Sequence, residues 1–411
     1  MTNTSFPRED IRILLLEGIS ATAIDNFRAA GYSNVEWHPS ALPREQLLES
    51  VAEAHMIGLR SRTQLDAEVI AHARRLMAVG CFCIGTNQVD LDAAAERAIP
   101  VFNAPYSNTR SVAELVAAEA VMLLRRIPER NAECHRGGWS KSAEGSYEVR
   151  GKTLGIVGYG HIGTQVGLLA ESLGMRVLYH DIDTQLALGN AEAAASFDDL
   201  LQRADVVTLH VPDTPATRGM IGAPQLARMR HGAVLINASR GTVVDIDALA
   251  ERLRAGELAG AAVDVFPSEP KGRDDIFESP LRDMDNVILT PHVGGSTQEA
   301  QANIGLEVSA KLLRYSDNGS TLSAVNFPEV SLPEHAGSRR LLHVHRNEPG
   351  MLSRVNELFS RSSVNVDAQY LRTSPRLGYV VIDISATPEE ARELCKALAE
   401  IPGTLRTRLL H

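Results

Sequence analysis

A chain of 411 residues is long enough for two to four domains, and a composition of 44% apolar and 22% charged residues excludes disordered and collagenous classes. A net charge of −10 disfavours non-specific binding to nucleic acid or an anionic membrane. The most apolar stretch, Val112 to Leu124, is broken by Glu114 and Glu119 and falls short of the ~18 residues that span a bilayer, while Arg8, Glu9 and Asp10 precede the first apolar run, unlike a signal peptide. The expected location is the cytoplasm. No metal is expected: Cys81 and Cys83 are too tightly spaced for the usual zinc pair, and with Cys134 and Cys395 they read as reduced thiols.

In chain order, apolar runs at Ile11 to Leu16, His55 to Leu59, Leu76 to Val79 and Val101 to Asn103 alternate with helix-like segments, which predicts a small parallel α/β domain. Val112 to Arg126 has the composition of a strong helix and leads into a polar, glycine-containing segment, 131–151, where a second domain begins. Six further β-like runs follow: Leu154 to Val157, Arg176 to Tyr179, Val206 to His210, Ala233 to Asn237, Gly260 to Val265 and Val287 to Thr290. Six such runs suit a doubly wound parallel sheet. Ser296, with Glu299 placed to complete a capping box, predicts a helix that continues to Leu313 and returns the chain to the first domain. Residues 316–338 lack periodicity and read as an exposed connector. The remainder reads strand 339–346, helix 350–361, strands 364–373 and 377–385, helix 388–400 and strand 403–410, a ferredoxin-like order. This last unit carries 11 Lys and Arg against 8 Asp and Glu, opposite in sign to the rest. The expected division is 1–107 with 295–330, then 108–294, a linker at 331–338, and 339–411.

Gly158-Tyr159-Gly160-His161-Ile162-Gly163 follows an apolar strand and opens a helix, and Asp181 closes the next strand about where a ribose-binding acid belongs. Gly158 permits the turn, Gly160 lets a pyrophosphate approach the backbone, and Gly163 lets helix and strand pack. A carboxylate at Asp181 repels a 2′-phosphate, so NAD is expected over NADP.

Oxidation of a hydroxy acid needs a base for the hydroxyl proton, a cation for the carboxylate and a group that fixes the base. Arg240 in Asn237 to Gly241, Glu269 in Asp264 to Pro270 and His292 in Thr290 to Gly295 all follow strands of the second domain, at the edge where doubly wound sheets bind ligands. Spacing alone does not prove that they converge, and singly each is an ordinary loop residue. In the first domain, Arg60-Ser61-Arg62 follows the run His55 to Leu59; two guanidiniums and a hydroxyl suit a phosphate, though a solvated loop has the same composition.

The glycine turn and these three later segments together resemble the NAD-dependent D-2-hydroxyacid dehydrogenases along nearly the whole chain. The resemblance implies a Rossmann-like NAD-binding domain inserted in a flavodoxin-like substrate domain, followed by a ferredoxin-like ACT regulatory domain. It implies that Arg240 binds the substrate carboxylate, that His292 is the acid and base, and that Glu269 orients it. It also implies that Ala238, Ser239, Asp264, Gly294 and Gly295 border the cofactor. Within the family the likeness is to members that oxidise 3-phosphoglycerate, and it implies substrate contacts from Arg60, Ser61 and Asn108, with Lys141 near the phosphate. Relatives also reduce 2-oxoglutarate. In such members ACT domains pair between subunits of a homotetramer and bind L-serine through residues matching His345, Asn347 and Asn365. Ala336-Gly337-Ser338 departs from the adjacent glycines those relatives carry. The competing readings are a glycerate or glyoxylate reductase, which needs neither phosphate clamp nor regulatory tail, and a nonenzymatic NAD-sensing regulator.

Overall fold

The computed structural model describes residues 6–270, 275–333, 338–362 and 364–410. Two compact units result, 1–107 with 301–411, and 108–300.

The first unit contains two sheets. Strands β1 (Ile13–Leu15), β2 (Val35–Trp37), β3 (Met56–Leu59), β4 (Ala78–Cys81) and β5 (Val101–Asn103) form a parallel sheet in the order β2-β1-β3-β4-β5, the flavodoxin-like winding. All but β2 are buried along their whole length, as unbroken apolar strands between two helical layers must be. The half-exposed edge strand β2, Val-Glu-Trp, alternates too briefly for a sequence signal and was not anticipated. Ile304, Val308 and Leu312 of the helix Gln298–Asn318 belong to the core on one face, and a methyl on Gly80 would stand 2.6 Å from Val308 Cγ1.

The second unit carries β6 (Thr153–Val157), β7 (Arg176–His180), β8 (Glu192–Ala193), β9 (Val206–Leu209), β10 (Ala233–Asn237), β11 (Leu258–Val263) and β12 (Val287–Leu289), all parallel, in the order β12-β11-β10-β9-β6-β7-β8. The winding reverses between β6 and β9, which makes the ends of those strands the expected ligand crevice. The seventh strand, β8, is two exposed residues and has no periodicity to betray it. Within 131–151 the structure forms a helical turn sequence that composition did not suggest: Arg126, at φ +54°, breaks the helix Thr109–Leu124 and starts another at Ile127–His135.

Two expectations need correction. The helix expected from Ser296 starts at Gln298, and the Ser296–Glu299 capping box does not form: Thr297 Oγ1 accepts the Ala300 N–H at 3.1 Å and satisfies the same orphan donor one residue later. The connector 316–338 is not an exposed strap. The helix runs on to Asn318, Thr321 accepts and donates across to Pro328 and Val330, and Phe327, Val330 and Leu332 are buried. They were read as aperiodic because they satisfy two neighbours at once: they share one apolar cluster with Ala95 and Ala98 of the flavodoxin-like part and Leu342, Val344 and Tyr379 of the C-terminal sheet. Ala336 and Gly337 lie outside the described residues.

The C-terminal sheet, β13 (Arg339–Arg346), β14 (Asn365–Thr373), β15 (Leu377–Ser385) and β16 (Thr404–Leu410), is antiparallel in the order β14-β15-β13-β16. One face packs on the helices Met351–Arg361 and Pro388–Glu400, the second of which opens with a Thr387–Glu390 capping box. The other face meets the cluster around Phe327. Arg340 is fully buried, forks onto Asp383 at 2.6 and 2.7 Å, and donates from Nη1 to Asn318 O and Pro333 O. Strand β14 is left as a mostly exposed edge.

Candidate active site

The chain leaves β6 through Gly158 at φ +89°, where a side chain would meet His210 O at 2.4 Å. A methyl on Gly163 would fall 2.2 Å from Gly158 O, so the helix His161–Ser172 can approach the strand only through glycine. Gly160, the N-cap, faces nothing within 4 Å: that side of the turn is open space in front of a helix N-terminus, as a bound pyrophosphate requires. Ile162 packs into the core below. Asp181, just past β7, accepts the Tyr159 N–H at 2.7 Å and the Asp183 N–H at 3.0 Å, which fixes its carboxylate at the mouth of the turn. These residues fit NAD: an open glycine cradle for the phosphates and a half-buried carboxylate for ribose hydroxyls.

Three loops at the ends of β10, β11 and β12 form the second part. Asn237 is fully buried; its Oδ1 accepts from the Ser239 N–H and Oγ, and its Nδ2 donates to Arg240 O, so the Ala238–Gly241 turn is tied by one side chain. Gly241 has no room for a Cβ, which would fall 2.0 Å from Phe266 C. Arg240 Nη1 donates to Ser239 O at 2.7 Å. His292 Nδ1 stands 3.1 Å from both carboxylate oxygens of Glu269, which also accepts the Phe266 N–H. His292 holds φ +54°, a left-handed conformation uncommon for a residue with a Cβ. What holds it there is Asp264, 2% exposed, which accepts from Thr290 Oγ1 at 2.6 Å and from the Val293 and Gly294 N–H groups at 2.8 Å.

The electrostatics follow from this geometry. The hydrogen bond that His292 donates to Glu269 raises the His292 pKa above its ordinary value; burial works against it, and the charges of Glu269 and Asp264 support it. Burial pushes Glu269 up, but the hydrogen bond and charge of His292, the Phe266 N–H and the Arg240 charge together hold it below the usual carboxylate range. Arg240 acts on both members of the pair, so Arg240, Glu269 and His292 form one electrostatic group. With Nδ1 engaged, Nε2 is the ring nitrogen left to exchange a proton with a ligand.

One carboxyl escaped the sequence reading. Glu119 interrupts an apolar helix and there looks like a solvated charge, yet it is 1% exposed with no partner for either oxygen among the described residues. Burial and the nearby Asp264 charge push its pKa up to about 8, which makes it a neutral acid in the core beneath the His292 turn. The signal was its helical phase, three residues from Val116 and four from Leu123.

The other expected residues are placed as follows. Asn108 packs against Gly295, where a methyl would stand 2.2 Å from its Nδ2; Lys141 is exposed on the loop after Ile127–His135, outside the hydrogen-bond network of His292. In the first unit, the Arg60-Ser61-Arg62 turn follows β3, and the guanidiniums of Arg60 and Arg62 have no hydrogen bond or ion pair among the described residues. In the C-terminal sheet, His345 is buried inside β13, stacked on His343 at 5.0 Å, and burial lowers the pKa of both, that of His343 to about 4. Asn347 donates to Ser374 O at 2.8 Å. Asn365 is not brought to them: it pairs with Ser385 at the opposite end of the β14–β15 ladder from Gly378, the partner of His345, roughly 23 Å away along the strand. Among the described residues no cluster of His, Cys, Asp or Glu is placed to hold a metal, and no helix is long and apolar enough to cross a membrane.

Residues 117–294 match the family described as D-isomer specific 2-hydroxyacid dehydrogenase, NAD binding domain, and residues 341–406 match the AHAS small subunit-like ACT domain. The chain is 60% identical over 411 residues to a D-3-phosphoglycerate dehydrogenase of Escherichia coli (strain K12), covering 100% of both. It is 57% identical over 412 residues to a D-3-phosphoglycerate dehydrogenase of Haemophilus influenzae, again over 100% of both. Among solved structures, D-lactate dehydrogenase from Aquifex aeolicus complexed with NAD and lactic acid superposes with a TM-score of 0.67 at 25% identity, covering 77% of this chain and all of that one. The chain therefore belongs to the D-isomer specific 2-hydroxyacid dehydrogenases, as an NAD-dependent oxidoreductase with a C-terminal ACT domain.

Proposed function

We propose that this enzyme oxidises D-3-phosphoglycerate to 3-phosphohydroxypyruvate, with NADH and a proton as the other products, at the entry to L-serine synthesis in the cytoplasm. The observation that carries this reading is full-length likeness to chains that bear the name D-3-phosphoglycerate dehydrogenase. NAD, held by the Gly158–Gly163 turn and Asp181, supplies the hydride acceptor when bound. His292 Nε2 takes the C2 hydroxyl proton while its Nδ1–H stays on Glu269, whose charge stabilises the imidazolium. Arg240 holds the substrate carboxylate and the oxygen that becomes a carbonyl, with Ala238, Ser239, Asp264, Gly294 and Gly295 bordering the nicotinamide. Arg60, Ser61 and Arg62, with Asn108 and Lys141, take the distal end; the two partnerless guanidiniums support this. The same cations accept the second carboxylate of 2-oxoglutarate, which makes its reduction a side activity.

The chain works as a homotetramer in which β14 edges of paired ACT domains meet, since an exposed edge strand is satisfied by a second copy. Serine binds between them through His345 and Asn347 of one copy and Asn365 of the other, and inhibits. NADH formation measured with 3-phosphoglycerate and with D-glycerate, each with and without serine, tests the reading. The expected result is strong preference for the phosphorylated acid and serine inhibition that Asn365→Ala abolishes while kcat stays. Equal use of D-glycerate supports the glycerate or glyoxylate reductase reading instead, and a serine-insensitive intact enzyme overturns the effector assignment.

A further inference from the structure

Glu17 follows β1 and the Arg60–Arg62 turn follows β3, so the two stand at the carboxyl ends of the strands between which this sheet reverses its winding. That crevice is where open α/β sheets receive ligands. Glu17 and Gly18 are both left-handed, at φ +65°, and their N–H groups are taken by Ser40 O and His38 O. This backbone, unusual for a glutamate, carries a carboxylate only 8% exposed across to the neighbouring turn. Its Oε2 accepts the Arg62 N–H at 2.9 Å and its Oε1 accepts the Thr63 N–H at 2.8 Å. From the other side, buried Gln88 donates to Arg60 O at 2.6 Å.

The turn is thus tied at three backbone points while its two guanidiniums are left without partners among the described residues. A carboxylate this close would ordinarily neutralise one of the arginines. Here both its oxygens are occupied by backbone donors, so it orders the turn and leaves the cations available. Two like charges two residues apart also repel, and fixing the backbone beforehand removes the ordering cost from ligand binding.

We infer that Glu17 is a positioning residue for the anionic end of the substrate: it presents Arg60 and Arg62 to a phosphate and sets the preference for phosphorylated over unphosphorylated hydroxy acids without touching either. The inference rests on the reading of this turn as a phosphate clamp.

The test is steady-state kinetics of the full-length enzyme carrying Glu17→Gln, which keeps the shape of the side chain but turns an amide N–H toward a backbone donor. The KM for 3-phosphoglycerate is expected to rise about tenfold with kcat within about threefold, while kcat/KM for D-glycerate moves less than about twofold. Inorganic phosphate, as a competitor of 3-phosphoglycerate, is expected to weaken in parallel. An equal loss for both substrates, or an unchanged KM, overturns the role. Arg60→Ala, measured alongside, separates the two levels. If Arg60→Ala discriminates between the substrates and Glu17→Gln does not, Glu17 alone is refuted; if Arg60→Ala weakens both substrates equally, the clamp is refuted and the inference with it. Should Glu17→Gln fail to fold, Gln88→Met removes the opposite tie and is expected to give the same split, and an even loss there refutes the proposal.

Discussion

At the carboxyl edge of the β6–β12 sheet, Asn237, Asp264 and Glu269 each devote a side chain to a neighbouring turn, and within one chain Glu269 and His292 pair at 3.1 Å with the Arg240 charge acting on both. In the C-terminal sheet, His345 and Asn347 sit at one end of the β14–β15 ladder and Asn365 at the other, with no contact between them. The first region needs only its own fold to assemble a chemical group. The second, if it binds an amino acid through all three residues, needs another copy. A site inside a chain is held by buried hydrogen bonds, whereas a site between chains exists only at concentrations where the chains associate.

The comparison breaks most visibly if the one-chain group does no chemistry. His292→Gln is expected to lower kcat by roughly 10² to 10⁴ while NADH affinity, read by fluorescence titration, stays the same. A kcat within about threefold of the parent would take His292 out of the reaction. On the C-terminal side, the fork between Arg340 and Asp383 is buried, so Asp383→Ala strands a guanidinium and is expected to destabilise that module by about 3–5 kcal/mol. Urea unfolding checks this; a shift below about 1 kcal/mol would mean that apolar packing alone holds the module. The smallest effect concerns the cofactor: Asp181→Ala is expected to narrow the preference for NAD over NADP about tenfold, chiefly through a higher KM for NAD. An unchanged ratio of kcat/KM for the two cofactors would move the discriminating residue elsewhere.

The fold was legible wherever an apolar run is long enough to cross a buried sheet, as at β6, β10 and the central strands β13 and β15 of the C-terminal unit. The strands that escaped, β2 and β8, are short edge pieces whose pairing comes from their neighbours rather than from their own pattern. The connector was misread for a related reason: Phe327, Val330 and Leu332 are apolar without period because they serve a junction, not a helix or strand. In the candidate site, the glycine turn was readable because each glycine answers a steric demand, at His210 O and at Gly158 O. The supports were not readable. Asp264 as the clamp of a left-handed His292, Glu17 beneath the arginine turn and Glu119 as a buried neutral acid all depend on contacts between residues far apart in sequence. Serine sensing was expected of three residues at once, and the single chain shows why sequence spacing does not test that: the ladder separates them by its own length.

The pH dependence of kcat/KM, measured in both directions for the parent and for Glu269→Gln, tests the central claim that Glu269 sets the proton affinity of His292. Oxidation needs neutral imidazole, so its rate should fall as pH drops through the raised pKa of His292; reduction needs the imidazolium and should fall as pH climbs through the same value. Removing the Glu269 charge leaves burial to dominate, and both limbs are expected to move together to lower pH. Profiles that stay in place in Glu269→Gln, or limbs that move apart, would contradict the assignment of this pair as the acid and base.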